Sequence, residues 1–510
     1  MTQRPPVVVV GAGPTGLMLG CELALAGVPC RILERREAES NLTRAFGVHA
    51  RTLELLDMRG EADKLVSQGL QVPEVRPQLG RRPLRLSLNH PESRFPYVLI
   101  VAQARSEALL EQRARALGVQ IALGAEVVGL EQDDDGVEVV VDAPEGKRIE
   151  RADYVVGCDG AHSAVRRLSG VGFVGSDYST HIMLADIYLP ENLPTAVGAY
   201  LGRAGIVLLP PFGDGWYRAV IWDREREKVP LDEALGADEI RQSLRRIAGS
   251  DFGMRQVRWS TRFLSQRRQA DRYRVGRIFL AGDAAHVHSP LGALGMNTGI
   301  QDAMNLGWKL SAAVYGWAPS WLLDTYHSER HPVGRAALQV TDLLQRVTLA
   351  PAPIRAVRPL LARFALSLPP VRRTLRRRVA GLNIAYPPSR GRKEHPWNGQ
   401  RVPDVSIGPS RLYSSMHHGN FTLFDRTGKS QLADAVAAAW SDRVATVQVP
   451  ATIAPTWPLV TLIRPDGYVA WASDEATSEA QLAAISHWCG PPSTAATGPR
   501  VNATLRQGER

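Results

Sequence analysis

Four consecutive valines, Val7–Val10, begin the hydrophobic pattern of the chain, an apolar run of strand length that glycine ends. Residues 14–26 stay apolar around the helical period and Cys30–Glu34 returns to a short apolar run, so strand, helix and strand are predicted in succession. A helix is predicted at Arg105–Leu117, then a hairpin-like pair in "AEVVGLEQDDDGVEVVVDA", whose acidic turn ends at Gly136. "RADYVVGCDG" reads as another strand running into a turn. From about Gly175 to Arg272 the texture changes to strands, with "HIMLADIYL", "AGIVLLPP" and "WYRAVIWD". The helical period returns after "RIFLAGDAAH", placing Ala303, Leu306, Leu310 and Val314 on one face. The first and third regions therefore form one α/β domain, interrupted by a mostly antiparallel insertion.

Residues 351–395 are rich in Pro and Arg, and "VRRTLRRRV" reads there as a solvated basic helix face. From "HPWNGQRVPD" onward, "NFTLFD", "VATVQV" and "LVTLIRPDGYVAWAS" outline a small terminal α/β domain with a polar tail after Pro491. The expected division is 1–175 and 273–350 for the two parts of a nucleotide-binding domain and 176–272 for the inserted β domain. A helical linker follows at 351–395 and the terminal domain at 396–510.

Composition changes this picture little. At 510 residues, 44% hydrophobic and 22% charged, the chain is ordinary globular material. The net charge of +10 raises nucleic acid as a partner, but only six of the 61 basic residues are Lys and the arginines are scattered. No zinc-finger, RRM or KH pattern accompanies them, so no nucleic-acid partner is expected. Cys21, Cys30, Cys158 and Cys489 form no CxxC pair, which argues against a disulfide framework or a metal site and fits a reducing compartment. Gly11, Gly13, Pro14 and Gly16 interrupt the apolar N-terminus where a signal peptide needs its core. No run reaches the ~18 apolar residues of a membrane span. A cytoplasmic protein is expected.

The candidate chemistry starts at the first turn. Gly11, Gly13 and Gly16, with Pro14 and Thr15 between them, make G-x-G-x-x-G between a strand and a helix. The first Gly permits the turn, the second lets backbone approach a pyrophosphate, and the third allows close helix–strand packing. Glu34 ends the next strand, 18 positions after Gly16, where a carboxylate accepts from ribose hydroxyls and disfavours a 2′-phosphate. The nucleotide is then FAD or NAD. A second match, "GVGFVG" at Gly170–Gly175, follows a helix rather than a strand, and is read as a loop at a domain crossing. The chain has one dinucleotide fold.

Two later motifs choose between the nucleotides. "VVGCDGAHSAVRR" sets Asp159 at a strand end, and "RIFLAGDAAHVHSPLGALGMNTGIQDAMNLGWKL" sets Asp283 at another, before a Pro/Gly loop and a long helix. A strand-end carboxylate suits a ribityl chain, and a helix N-terminus suits the anionic ring of reduced flavin. Together with the first motif, in this order, the sequence resembles the flavin-dependent aromatic hydroxylases, the single-component group A monooxygenases. The resemblance extends through "RAFGVHARTLELLDMRG", similar to the family's mobile-flavin segment, and "VAQARSEALL", similar to its P-Q-x-x-x-E-x-x-L helix. The terminal domain is similar to the thioredoxin-like tail of larger members. The resemblance implies an α/β fold of the p-hydroxybenzoate hydroxylase type: a Rossmann-like FAD-binding domain, an inserted antiparallel substrate sheet and a thioredoxin-like end.

The same resemblance implies FAD contacts. Gly11, Gly13, Pro14, Thr15 and Gly16 would serve the pyrophosphate, and Glu34, with Arg35 beside it, the adenosine ribose. Val127 would offer backbone to adenine, and Gln103 and Asp283 would lie along the ribityl and phosphate groups. Pro290, Gly295, Met296 and Asn297 would border the isoalloxazine. Arg44 would serve the flavin or a passing nicotinamide, or else form a salt bridge at the mouth of the fold, and Asp159 would structure the cleft. NADPH or NADH would donate hydride transiently, and molecular oxygen would reach the substrate through a flavin C4a-hydroperoxide. The substrate wall would draw on Phe46, Leu294 and the inserted sheet, with Phe212, Tyr217 and Trp222 as candidates and plain core as the alternative.

Two departures from the family pattern bear on the substrate. Ala293 and Leu294 stand where the loop usually carries Gly and Gln, and Phe46 stands where the phenol-hydroxylase branch carries Asp. The second departure points to polycyclic aromatic polyketides, whose phenols are more acidic. No catalytic base is nominated: His286 and His288 stand in a fingerprint loop where packing or hydrogen bonding serves equally well. Four functions stay open: a biosynthetic polyketide hydroxylase, a monooxygenase inactivating rifamycin- or tetracycline-like drugs, a Baeyer–Villiger oxygenase, and a flavin- and drug-binding protein without turnover. A monomer or homodimer is expected. No thiol redox chemistry is expected of the terminal domain, which lacks CxxC.

Overall fold

The computed structural model describes residues 5–38, 45–79, 82–83, 85–190, 196–290, 292–349, 364–386, 395–475 and 478–493. Val7–Val10 (β1) is buried along its length inside a parallel sheet, as expected of a strand whose two faces are both apolar. Cys30–Glu34 (β2) and Tyr154–Gly157 pair with it in parallel on either side. Gln120–Leu123 and Ile278–Leu280 extend the sheet outward. Helix Pro14–Leu25 (α1) joins β1 to β2, with Pro in its first turn, where a missing N–H costs nothing. Beyond β2 the described chain resumes at Ala45, forms the short strand Gly47–Val48 (β3) and enters helix Ala50–Asp57 (α2). The long helix Gly295–Val314 (α3) lies on α1. At Gly307 a Cβ would stand 2.6 Å from Glu22 Cβ, so glycine is what lets the two helices meet.

The insertion is a nine-stranded sheet built around an antiparallel pair, Phe173–Tyr188 and Gln256–Ala270, with Trp216–Asp223 on the other flank of Phe173–Tyr188. It is not confined to 176–272. Glu74–Leu79 pairs in parallel with Val197–Leu201, and His286–Val287 closes the opposite edge. "GVGFVG" is not a loop throughout either, because the strand starts at Phe173 and takes in Gly175. A Cβ on Gly175 would collide with the Arg267 carbonyl, so this glycine serves strand pairing.

Strand alternation gives the large sheet two apolar faces. Met183, Ala185, Ile187, Tyr217, Ala219 and Ile221 pack on Ile240 and Leu244 of helix Ala237–Ala248. Ile182, Leu184, Val220 and Trp222 point the other way, to Phe46 and Ile100. The terminal unit orders its strands Val444–Gln448, Phe421–Asp425, Val460–Ile463, Val469–Ser473, the first pair parallel and the rest antiparallel, which is the thioredoxin-like arrangement. Its core of Leu423, Val436, Trp440, Leu462 and Ile485 includes Trp308, so α3 runs from one domain into the packing of another. Helix Asp324–Leu349 (α4) packs beside α3. Among the described residues no helix is long and apolar enough to cross a membrane.

Candidate functional site

The first turn is held open by backbone geometry. Gly11 has φ +104°, and a Cβ there would lie 2.5 Å from the Cys158 carbonyl oxygen at the end of the neighbouring strand. A Cβ on Gly16 would collide with the Gly11 carbonyl. At Gly13 a Cβ would meet nothing within 4 Å, so the structure leaves free space over this residue, at the N-terminus of α1. The first bond inside α1 runs from Leu17 N–H to the Gly13 carbonyl at 2.9 Å, which leaves the amides of the opening turn pointing outward. No acidic residue sits in that turn, so the positive end of the helix is uncompensated from within.

Glu34 faces this turn from the end of β2. Its carboxylate accepts from the Ala12 N–H at 2.7 Å, the Arg36 N–H at 3.0 Å and the Arg36 guanidinium at 3.0 Å. Burial alone would raise its pKa, but the Arg36 guanidinium and the two amides outweigh burial and hold it below the usual carboxylate range. The adjacent basic residue in contact is thus Arg36, while Arg35 is exposed. The local Glu-Arg-Arg run carries no signal that separates the two. Val127 is buried on the strand Glu126–Gln132, just past Ala125, whose N–H donates to the Glu34 carbonyl.

The third motif converges on the first through Thr15. The Thr15 side chain lies against both Gly282, where a Cβ would be 2.6 Å from Thr15 Oγ1, and Gly299, where a Cβ would collide with the same oxygen. Asp283 is exposed within this turn, and its Oδ1 lies 3.7 Å from where a Cβ on Gly295 would stand, at the start of α3. The first bond inside α3 is Thr298 N–H to the Leu294 carbonyl, so the amides of Gly295, Met296 and Asn297 are the free end of a 20-residue helix. An exposed carboxylate and a helix N-terminus therefore stand side by side.

Several of these side chains are already engaged within the protein. Asn297 donates from Nδ2 to the Gly47 and Ala293 carbonyls and accepts at Oδ1 from His49 N–H, leaving its backbone amide for a ligand. Gln103 accepts from Ala45 N–H at 2.8 Å and donates to Glu107, tying the segment that leads into β3. Asp159 caps the helix Ala164–Leu168, accepting from the Ala164 and Val165 amides. His286 donates to Asp302 at 2.7 Å, and Arg330 donates to the same carboxylate at 2.6 Å. Burial would raise Asp302, and Arg330 and His286 overcome it to keep the carboxylate ionised. Burial, then His286, holds the His288 imidazole below its usual range. Arg44 lies outside the described residues.

The apolar wall beside these groups is the face of the large sheet that joins Phe46, Val72 and Ile100 to Ile182, Leu184, Val220 and Trp222, with Phe212 and Ala293 packed against it. Leu294 is half-buried one residue before α3, and Pro290 accepts from Ala293 N–H. Tyr217 is withdrawn from this wall. It is one residue out of step with Trp222, so alternation turns it to the opposite face, against helix Ala237–Ala248. The free space over Gly13, the ionised Glu34 and the exposed Asp283 beside a helix N-terminus fit a flavin dinucleotide.

Residues 4–341 match the FAD binding domain family, and residues 395–492 match the aromatic-ring hydroxylase C-terminal family. A 12-dehydrotetracycline 5-monooxygenase/anhydrotetracycline 6-monooxygenase of Streptomyces rimosus is 40% identical over 515 residues, covering 96% of this chain and 100% of the relative. A rifampicin monooxygenase of Streptomyces venezuelae is 40% identical over 503 residues, covering 95% and 98%. The solved structure of the anhydrotetracycline hydroxylase OxyS from Streptomyces rimosus superposes with a TM-score of 0.84 at 38% identity, covering 96% of this chain and 100% of that one.

Proposed function

The chain belongs to the FAD-dependent aromatic-ring hydroxylase family, and on that premise we propose that it is an NAD(P)H-consuming monooxygenase that hydroxylates a polycyclic aromatic polyketide. The observation that carries the substrate class is the continuous apolar wall, which runs from Phe46 across Ile182, Leu184, Val220 and Trp222 to the α3 loop at Ala293. A carboxylate at position 46 would serve to deprotonate a simple phenol, and Phe46 offers none. A substrate whose hydroxyls ionise readily needs none.

FAD, when bound, supplies hydride acceptance and activation of dioxygen. The chain's own work is placement. The cradle around Gly13 and the carboxylate of Glu34 would hold the nucleotide half. Asp283 would hold the ribityl hydroxyls, and the amides of Gly295, Met296 and Asn297 would offer donors to negative charge on the ring. The wall from Phe46 to Trp222 excludes water and sets the reacting ring in place.

The test is NADPH and NADH oxidation by the purified yellow protein against polycyclic quinones, tetracyclines and rifamycins, with product masses read in parallel. Stimulated oxidation with one oxygen atom added to a polycyclic phenol supports the proposal. A second reading is favoured by the rifampicin monooxygenase relative, as similar in sequence as the tetracycline enzyme. In that case rifamycins, rather than biosynthetic polyketides, stimulate the oxidation. No stimulation by any aromatic compound opposes both.

A further inference from the structure

Helix α2 leads directly out of the flavin-side strand β3, and its charged residues are not where a helix this short would place them. Arg51, Glu54 and Asp57 recur every third residue on "ARTLELLD" and would ordinarily face water. All are buried. Each is partnered by the terminal unit. Glu54 takes Arg401 Nη1 at 3.0 and 3.1 Å. Arg51 donates to the Asp466 carbonyl at 2.7 Å and to Glu54 at 3.2 Å. Asp57 takes Arg411 at 2.8 Å. Just past the helix, Arg59 donates to the Pro465 and Met416 carbonyls. Gly467 fits against Met58, and a Cβ there would come within 2.5 Å of the Met58 methyl.

At the other end of α2, the Asn297 side chain spans Gly47, His49 and Ala293, and His49 Nε2 meets the Gly292 carbonyl at 2.9 Å. The β3–α2 segment is therefore tied at its start to the α3 loop and along α2 to the terminal unit. The turn Arg464–Tyr468 also bonds α3 and α4: Arg464 to Glu329 at 2.7 and 2.9 Å, and Asp466 to Asn305 at 3.1 Å. One loop of the terminal unit thus bonds α2, α3 and α4 at once.

We propose that the terminal unit is a positioning element for the flavin site, with Arg401 the positioning residue that sets β3 through Glu54 of α2. It touches no reacting group. A domain without CxxC chemistry then has a task, and that task lies beyond the hydroxylase reading.

The test is Arg401→Met in the full-length flavoprotein, beside Arg426→Met. Arg426 bonds the carbonyls of Ala451 and Ile453 within the terminal unit, so its loss loosens that unit without touching α2. The readouts are the FAD dissociation constant, iodide quenching of bound-flavin fluorescence, the visible flavin band and Tm. We expect Arg401→Met to weaken FAD about fivefold or more, the lower range for coupling between distant sites, and to raise iodide quenching. Arg426→Met, at a similar loss of Tm, should leave both within about twofold. Equal flavin effects in the two variants, or an unaltered flavin in Arg401→Met, would overturn the proposal. Should Arg401→Met not fold, Arg411→Met at the rim of the same interface is read against Arg426→Met by the same criteria. FAD uptake by the parent protein is measured first, so failure of the cofactor reading is seen separately.

Discussion

Substituting alanine for Gly13 separates a ligand cradle from a structural turn, because the folded chain does not need glycine there. Gly13 has φ −78° and ψ 178°, an ordinary conformation for any residue, and an added Cβ meets no atom within 4 Å. Losing glycine from the helix N-cap costs up to about 1 kcal/mol, and stiffening the unfolded chain returns about 0.4–1 kcal/mol. The protein without nucleotide should therefore melt within a few degrees of the parent. The same methyl occupies the space through which a pyrophosphate reaches the amides of α1. Loss of one or two hydrogen bonds to charged oxygens, about 1.5–3 kcal/mol each, weakens FAD by roughly ten- to ten-thousandfold. Gly11→Ala gives the opposite order of effects: its Cβ meets the Cys158 carbonyl at φ +104°, so stability falls first. The assays are thermal melting by circular dichroism and FAD titration by flavin fluorescence. Gly13→Ala that binds FAD like the parent, or that unfolds as Gly11→Ala does, would refute the assignment of the cradle.

Further predictions concern the acid, the wall and the interface. Asp283→Ala removes an exposed carboxylate and should leave Tm unchanged while weakening FAD about tenfold, read by the same titration. Trp222→Leu should raise KM for the aromatic substrate several-fold, whereas Tyr217→Phe, on the far face of the sheet, should leave KM within about twofold. Burial would raise the Glu329 carboxyl, but Arg464 and Lys309 outweigh it and bring it from 4.5 to about 2. The folded-state value is the depressed one, so this stabilisation is complete above pH 4.5 and is lost as pH falls toward about 2. Glu329→Gln leaves Arg464 and Lys309 buried without their shared anion, costs about 3–5 kcal/mol at neutral pH and flattens the acid limb of the melting curve.

The strand–turn–helix at Gly11–Gly16 and the strand-end positions of Glu34 and Asp283 were legible in the sequence because each placement depends on local spacing. The order of the elements was legible for the same reason, since period and punctuation are local. What stayed hidden depends on contacts between distant segments. Strand alternation makes Tyr217 and Trp222 opposite-facing, but which face meets the cofactor depends on the docking of the whole sheet. Nothing in Glu74–Leu79 announces that it will join strands more than a hundred residues away. Arg51, Glu54 and Asp57 have the spacing of a solvated helix face, and their burial becomes visible only when Arg401 and Arg411 arrive from the terminal unit. Asn297, expected at the cofactor, has its side chain committed to bracing β3, which local spacing does not show.

Whether the oxygen placed on the aromatic ring comes from dioxygen is decided with isotopically labelled gas. The purified flavoprotein, NADPH and a stimulating polycyclic phenol are incubated under the labelled gas, and the product mass is read. The oxygen gained should carry the label, and Gly13→Ala, reconstituted without excess FAD, should form less of this product than the parent. A product gaining unlabelled oxygen from water, or a transformed substrate that has gained no oxygen at all, would contradict the proposed function.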